Sequence, residues 1–143
     1  MSKSTALATE LQSLTFYVAA TAPAWMANAN LYAALHTADP AAAGTQATSE
    51  CNYTGYARVA IPRDASGWLQ VAGVVSTVVP IIFPPCTGGT TEATWLTIGT
   101  APMGAGQVLH RGPMVPGIPI ISGISPGITA GGLVITIKTI SEE

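Results

Sequence analysis

Proline and glycine interrupt each long apolar stretch of this chain, and their placement limits the folds open to it. Three runs carry no formal charge: Leu11–Ala38, Ala65–Thr91 and Gly112–Ile137. Each is long enough to cross a bilayer as a helix. The third, however, contains four prolines and six glycines, and irregular backbone is not tolerated against lipid. The pattern therefore predicts no transmembrane segment and no membrane partner, and the polar N-terminus shows no secretory signal.

The low charge of the chain excludes several further classes. Its 143 residues include five Lys or Arg and seven Asp or Glu, with a formal net charge of −2. Only 8% of the residues are charged, against roughly 25% in an ordinary soluble domain. Five scattered cations exclude electrostatic nucleic-acid binding, and an apolar fraction of 48% excludes disorder. Because permanent interfaces are depleted of Lys, Glu and Asp, a surface covered by partners or by copies of the chain explains the composition.

Spacing at the start of the chain predicts an amphipathic helix within residues 1–22. Ser4 or Thr5 can cap it, and Thr21 with Pro23 would end it. One apolar face is formed by residues at spacings of four, three and four. These residues are Leu7, Leu11, Leu14 and Val18.

Beyond residue 28 the hydrophobic period changes to two, which is typical of strands. We expect about eight short strands between turns rich in Gly and Pro. They are Leu31–Thr37, Tyr56–Pro62, Gly67–Ala72, Thr77–Phe83, Ala93–Ile98, Gln107–Arg111, Ile118–Ile121 and Leu133–Ile140. The sequence therefore predicts a mainly β fold, a β-sandwich or jelly-roll-like domain at 28–140 with one N-terminal α-helix, all within a single domain 1–143.

Turns between these strands are predicted from Gly and Pro. Val115–Ile118 and Ser125–Ile128 each contain Pro-Gly, which favours a type II turn. Gly99–Gly106, with the sequence GTAPMGAG, resembles a phosphate loop at first sight, but no Lys-Ser/Thr pair follows it. A hairpin loop is the better interpretation.

Residues with catalytic chemistry are few and scattered. His36 precedes Asp39 by three residues, so the two would point to opposite faces of a strand. Metal sites need three or four convergent ligands, and no such spacing is present. No GxSxG nucleophile motif occurs either. We therefore expect no enzyme, no catalytic residues, no metal and no cofactor.

The two cysteines, Cys51 and Cys86, do not form a CxxC motif. Two buried free thiols are the expectation for a chain that matures in a reducing cytoplasm, with a disulfide as the alternative.

Aromatic and basic residues offer two binding hypotheses. Trp25, Trp68 and Trp95 could form a sugar-binding platform, although packing in a core or interface explains them more simply. Arg58 and Arg63 are candidates for ion pairs between subunits, with solubility as the alternative.

Two sequence blocks carry a resemblance. Leu31–Pro40 reads LYAALHTADP, and Tyr53–Arg63 reads YTGYARVAIPR. Gly67-Trp68, Ile82–Gly89 (IFPPCTGG) and Gly104–Gly106 follow in order. Over roughly residues 28–110 this resembles a family of small virion proteins of tailed bacteriophages, often labelled tail fibre-like and similar to capsid cement or decoration proteins. The resemblance implies a non-enzymatic structural protein of a phage particle and supplies no catalytic residues. The ends of the chain, 1–27 and 111–124, depart from it.

The leading hypothesis is a capsid cement protein on the virion surface, assembled in the bacterial cytoplasm. It would form a dimer or trimer and stabilise the icosahedral head by bridging subunits of the major capsid protein. A tail-associated fibre-base or adaptor protein is the alternative, and a surface carbohydrate-binding module is the third. The predicted interface residues are Leu7, Leu11, Leu14, Val18, Arg58, Pro116, Ile118 and Ile120.

Overall fold

A computed structural model of the chain describes residues 1–136. These residues form ten strands, one α-helix and one 3-10 helix at Ala24–Ala27, so the mainly β prediction with a single N-terminal helix is confirmed. The helix α1 is Thr5–Phe16. The strands are β1 Ser2–Lys3, β2 Asn30–His36, β3 Val59–Pro62, β4 Trp68–Val71, β5 Val74–Thr77, β6 Ile81–Ile82, β7 Thr91–Gly99, β8 Val108–Ile120, β9 Gly127–Ile128 and β10 Val134–Thr136.

Helix α1 begins where the sequence indicates and ends earlier. The Ser4 hydroxyl accepts a hydrogen bond from the Leu7 N–H at 3.1 Å, which is the capping geometry expected of serine. The helix stops at Phe16, and Tyr17 is extended. Aromatic and β-branched residues follow one another here and favour helix weakly. Val18 therefore lies beyond the helix, and its predicted place on the helical face is wrong.

The largest sheet has five antiparallel strands in the order β1-β8-β7-β2-β3. Strands β2 and β7 lie at its centre, with Ala33 opposite Ile98 and Leu35 opposite Leu96. These four side chains share one face because the side-chain period of a strand is two. They are all buried, so this face of the sheet forms one wall of the core.

Strand β8 corrects the predicted turn at Val115–Ile118. The structure joins Gln107–Arg111 and Ile118–Ile121 into one strand of 13 residues that runs through three prolines. β8 pairs with β7 on both sides of an irregularity at 114–117, where no residue has a partner on β7, and on its other side it pairs only with β1, at His110 and Arg111. Proline lacks a backbone N–H and is tolerated on such an edge. Gly117 does not have the positive φ of a type II turn, and neither does Gly127.

A second sheet has the order β10-β5-β4, and β6 pairs with β9. Strand β5 is missing from the predicted set. It follows β4 after two residues, Ala72 and Gly73, with φ of 49° and 80°, as the central residues of a type I′ hairpin turn require. The predicted strand Thr77–Phe83 is correspondingly wrong, since β5 ends at Thr77 and β6 begins only after Pro80. The final residues of the predicted strand Leu133–Ile140, 137–140, lie outside the described residues.

Side chains from all three sheets meet in one core. Leu35, Phe83, Ile98 and Ile120 are among its fully buried members. Tyr56 stacks on Phe83 with ring centroids 6.2 Å apart and meets Tyr53 edge to face. Ile120, one of the predicted interface residues, is fully buried because its alternation along β8 points it into the core.

Leu35→Ala tests this core. Leu35 is fully buried at the centre of the sheet, so its truncation removes buried methyl groups and leaves a cavity. We expect the free energy of unfolding to fall by about 2–5 kcal/mol in urea denaturation. Met103→Ala, at an exposed position, is the control and should change it by less than about 0.5 kcal/mol. Equal effects of the two changes would contradict the assigned core.

Candidate assembly surfaces

The first half of helix α1 is fixed to the body of the protein by hydrogen bonds. The Ser4 N–H donates to the Leu109 carbonyl at 2.9 Å, beside the β1–β8 pairing. The Glu10 carboxylate accepts from Trp25 Nε1 at 3.0 Å and from Gln107 Nε2 at 2.9 Å. These contacts hold the helix against β8 and the 3-10 helix.

The second half of the helix lies free on the surface. Phe16 and Tyr17 are 77% and 69% exposed, Val18 is fully exposed, and Leu11 is 40% exposed. These four residues are called the helix-end surface below. The predicted apolar face of the helix thus divides, with Leu7 buried, Leu14 half-buried, and Leu11 and Val18 exposed. Leu7 packs inside the chain and presents almost no surface to a neighbour.

Beside the helix, a groove of about 750 Å³ opens between the two larger sheets. The five-stranded sheet contributes Leu31 and His110, and the β10-β5-β4 sheet contributes Trp68 and Ile135. Helix α1 and the 3-10 helix close its sides. Its lining is mainly apolar, and the groove is open to solvent. It is called the inter-sheet groove and is lined by Leu11, Trp25, Leu31, Leu69, Trp68, His110 and Ile135, among others.

Two polar atoms of the groove residues are buried and unbonded. Trp68 Nε1 and His110 Nδ1 have no hydrogen-bond partner among residues 1–136. A buried donor without an acceptor costs about 1–3 kcal/mol. Both atoms are shut off from solvent by neighbouring atoms, so neither faces the open space of the groove.

The outer face of the β10-β5-β4 sheet is also apolar. Leu69 and Val71 are 55% and 58% exposed on β4. The register places Val71 opposite Val74, and Ser76 between Leu69 and Val134. No charged residue lies at these paired positions. We call this the exposed sheet face.

The other predicted interface residues lie on the edge strand β8 and differ in side-chain exposure. Pro116 is exposed next to exposed Val115, Ile118 is half-buried and packs against the core, and Ile120 is buried. Pro116 is thus the one of the three with an exposed side chain.

The side chain of Arg58, which is predicted to anchor an ion pair between subunits, is buried within its own chain. Its guanidinium forms a bidentate ion pair with Glu50, from Nε to Oε1 at 2.7 Å and from a terminal nitrogen to Oε2 at 2.8 Å. The Arg58 side chain is 2% exposed and that of Glu50 is 18% exposed. Further donors reach the carbonyls of Ala101 and Gly104 at 2.9 and 2.6 Å. The hydrogen bonds of the Arg58 guanidinium are thus made within its own chain, and its role between subunits stays a prediction.

Tyr56 and Gln46 complete this ion-pair network. The Tyr56 hydroxyl donates to Glu50 Oε1 at 2.8 Å and accepts from the Leu35 N–H. Burial raises the pKa of Tyr56 well above its ordinary value. Gln46 is fully buried, and its Oε1 accepts from the Ala101 N–H at 3.0 Å. The network joins the loop 41–50, the approach to β3 and the hairpin loop between β7 and β8.

The same contacts explain the glycines of Gly99–Gly106. This segment connects two paired antiparallel strands, so the hairpin prediction is confirmed. A Cβ on Gly99 or Gly106 would collide with the Gln46 side chain. The lack of side chains at Gly99 and Gly106 therefore leaves room for Gln46, and carbonyls of the same loop accept hydrogen bonds from Arg58.

Both histidines lie on strands of the large sheet. His36 is fully buried, with Nδ1 2.8 Å from the Thr48 carbonyl and Nε2 2.8 Å from the Thr97 hydroxyl. Burial lowers the pKa of His36. These bonds tie the loop 41–50 to β2 and β7.

Cys51 and Cys86 are buried and not joined by a disulfide. Burial raises the pKa of Cys51 to about 11, so its thiol stays protonated at neutral pH. Within residues 1–136 no cluster of three or more His, Cys, Asp or Glu side chains is placed to hold a metal.

The tryptophans occupy separate settings. Trp25 and Trp68 line the inter-sheet groove, whereas the Arg111 guanidinium lies over Trp95 at 5.5 Å from the ring centroid. The Arg63 guanidinium lies over Trp25 at 5.4 Å and donates to the carbonyls of Met26 and Asn28. Arg63 thus binds within its own chain. Among the described residues, no helix has the length and apolar character needed to cross a membrane.

Comparison with known proteins identifies a family. A family model described as Podophage GP4 fiber I protein gp80 matches residues 2–136. The chain belongs to this family. No curated protein matches it. The fiber I family consists of phage virion proteins by its description, so the resemblance seen in the sequence is confirmed at that level, and the chain is a virion component.

In this member of the fiber I family, the two blocks that carry the resemblance hold the fold together. LYAALHTADP supplies Leu35 and His36 to the interior, and YTGYARVA supplies Tyr56 and Arg58 to the ion-pair network. The partners Glu50 and Gln46 carry no signal in the sequence, because they lie in a loop of small residues where no periodicity marks a buried side chain.

Arg58→Met tests the ion-pair network. The substitution leaves Glu50 partly buried without its cation, and breaking a buried pair in this way costs about 3–5 kcal/mol. We expect a loss of that size in the free energy of unfolding, measured in urea. The matched control is Arg111→Met, which removes the more exposed pair with Asp39 and should cost about 1 kcal/mol or less. A larger loss for Arg111→Met than for Arg58→Met would contradict the assignment.

The pH dependence of stability tests the burial of His110. Burial, with repulsion from Lys3, lowers the pKa of His110 to about 4, below the unfolded value of about 6.5. Between these two values the unfolded chain binds a proton that the folded chain does not, so stability falls as the pH falls, by at most about 1.4 kcal/mol per pH unit. His110→Gln should flatten this dependence in urea denaturation at several pH values. An unchanged slope would show that His110 titrates normally.

Proposed function

We propose that this chain is a non-enzymatic structural component of a phage tail fibre assembly, held among other virion proteins by uncharged surfaces. The observation that carries the proposal is the match to a podophage fiber family over residues 2–136. The helix-end surface and the exposed sheet face support it, since both present large apolar side chains to solvent in the isolated chain.

The charge distribution supports a permanent assembly. Contacts between uncharged surfaces need no desolvation of Lys, Asp or Glu, and stable interfaces are depleted of these residues. Three of the five cations, Arg58, Arg63 and Arg111, bind groups of their own chain. Within residues 1–136, the paired positions of the exposed sheet face carry no charge that would oppose burial.

The buried polar groups support a structural role over a catalytic one. Both ring nitrogens of His36 and the whole Arg58–Glu50 pair are engaged in hydrogen bonds that join loops to strands. A general base needs a free nitrogen or oxygen that reaches a substrate. These groups stabilise the fold instead.

A capsid cement protein is the second candidate. It would bridge subunits of the major capsid protein and stabilise the assembled icosahedral shell, because a ligand that binds one state shifts the equilibrium toward that state. The observation in its favour is that the helix-end surface, the exposed sheet face and the exposed part of β8 lie on different elements. Several apolar surfaces suit a protein that contacts several neighbours.

The number of copies per virion distinguishes the two candidates. We expect quantitative gel densitometry of purified particles to give a small multiple of the tail's rotational symmetry. Cryo-electron microscopy should then place matching density at the tail. A copy number comparable with that of the major capsid protein, with density on the shell, would contradict the fibre proposal and favour cement.

A further inference from the structure

The segment 42–48 is attached to the large sheet between two strained residues. Ala41 and Ser49 have φ of 65° and 53°, a left-handed conformation that costs free energy in residues other than glycine. Among the described residues, Ala72 is the only other non-glycine residue with a positive φ. Segment 42–48 is called the strap below, and Ala41 and Ser49 are its hinge residues. Strain at both hinges lowers the free-energy cost of opening the strap.

The strap is held by hydrogen bonds and not by apolar packing. It consists of alanine, glycine, threonine and one glutamine, and of these residues only Gln46 is buried. The Gln46 N–H donates to the Gly106 carbonyl at 2.8 Å, and Gln46 Nε2 donates to the Tyr32 carbonyl at 3.2 Å. The Ala42 carbonyl accepts from the Thr5 N–H at 3.0 Å. Because segments with few buried apolar contacts open locally at a low free energy, the strap can leave the sheet while the core stays packed.

The Arg58–Glu50 ion pair lies outside this opening. Beyond Ser49 the chain pairs with the end of β2, where the Cys51 N–H donates to the Leu35 carbonyl at 2.9 Å. A hinge at Ser49 therefore leaves Glu50 bound to Arg58 at both carboxylate oxygens. The residues that move are those before the hinge.

His36 couples the strap to pH. A carbonyl oxygen can only accept, so His36 Nδ1 donates to Thr48 of the strap at 2.8 Å, and Nε2 accepts from the Thr97 hydroxyl at 2.8 Å. The ring is thus neutral when the strap is closed. Burial lowers the pKa of His36; of the charged groups that act on the ring, Glu50 raises this pKa and Arg58 lowers it. Opening gives the ring access to water, so the open state binds a proton more readily and gains population as the pH falls.

We propose that the strap opens locally in acid, about Ala41 and Ser49, while the sheets stay folded. At neutral pH the strap is closed. Opening breaks the hydrogen bonds of Gln46 and Thr48 to the large sheet and its loops, and it exposes the start of helix α1 and the ring of His36. This conformational change goes beyond the proposed function, because it belongs to the single chain and holds for either location in the virion.

Amide hydrogen exchange in the purified protein tests the opening. After correction for intrinsic rates, the Gln46 N–H should exchange at least about tenfold faster than the Cys51 N–H, which lies beyond the hinge. Between about pH 7.5 and about pH 5.5 the protection of Gln46 should fall at least about threefold. His36→Gln keeps an N–H donor for the Thr48 carbonyl and should abolish this fall. Equal exchange of the two amides, or a fall that persists in His36→Gln, would overturn the inference.

Hinge variants provide a test that does not depend on His36. Ala41→Gly combined with Ser49→Gly removes the strain, because glycine adopts a positive φ freely. The protection of the Gln46 N–H should then rise at least about twofold. Ala72→Gly, at the third strained position but in the β4–β5 turn, is the matched control and should leave this protection unchanged. Unchanged or lower protection in the double variant would contradict opening about these hinges.

Discussion

The buried ion pair between Arg58 and Glu50 is the interaction on which much of the loop structure depends. One guanidinium binds a carboxylate from the loop 41–50 and two carbonyls from the β7–β8 hairpin loop. Gln46 and Tyr56 connect the same pair to β2. A buried charge is tolerated only when its hydrogen bonds are satisfied, so each of these loops must take one conformation. The glycines at 99 and 106 follow from this packing, because they leave room for Gln46.

The pairing of charged side chains inside the chain also explains why the surface is apolar in places. The chain has few charges, and its three arginines bind a carboxylate, carbonyls or an indole of the same chain. Large apolar side chains lie in solvent, and the paired positions of the exposed sheet face carry no charge within residues 1–136. A monomer with such surfaces tends to associate. The low charge of the chain indicates surfaces that are covered by partners. The helix-end surface and the exposed sheet face are the two regions that fit this description.

Local patterns predicted much of the fold, and non-local pairing accounts for the rest. The helix start, strand β2 and the hairpin loop 99–106 have their signals in neighbouring residues. The sequence does not predict β8 as one strand, because prolines are tolerated in a strand only at a sheet edge. Whether a strand lies at an edge depends on the order of strands that are distant in the sequence. Arg58 was placed at a surface because its carboxylate partner lies eight residues away in a loop without periodicity. The groove was unpredictable in the same way, since its lining comes from both larger sheets and the helix.

The edge strand limits how the protein can assemble. Strand addition to β8 beyond its pairing with β1 would need backbone N–H donors along the edge, and Pro113, Pro116 and Pro119 remove donors from this stretch. A growing sheet that joins copies through β8 is therefore disfavoured. Association at this edge must instead use side-chain surfaces, where affinity comes from buried apolar area and packing. Val115 and Pro116 are the exposed part of β8 that such a contact can reach.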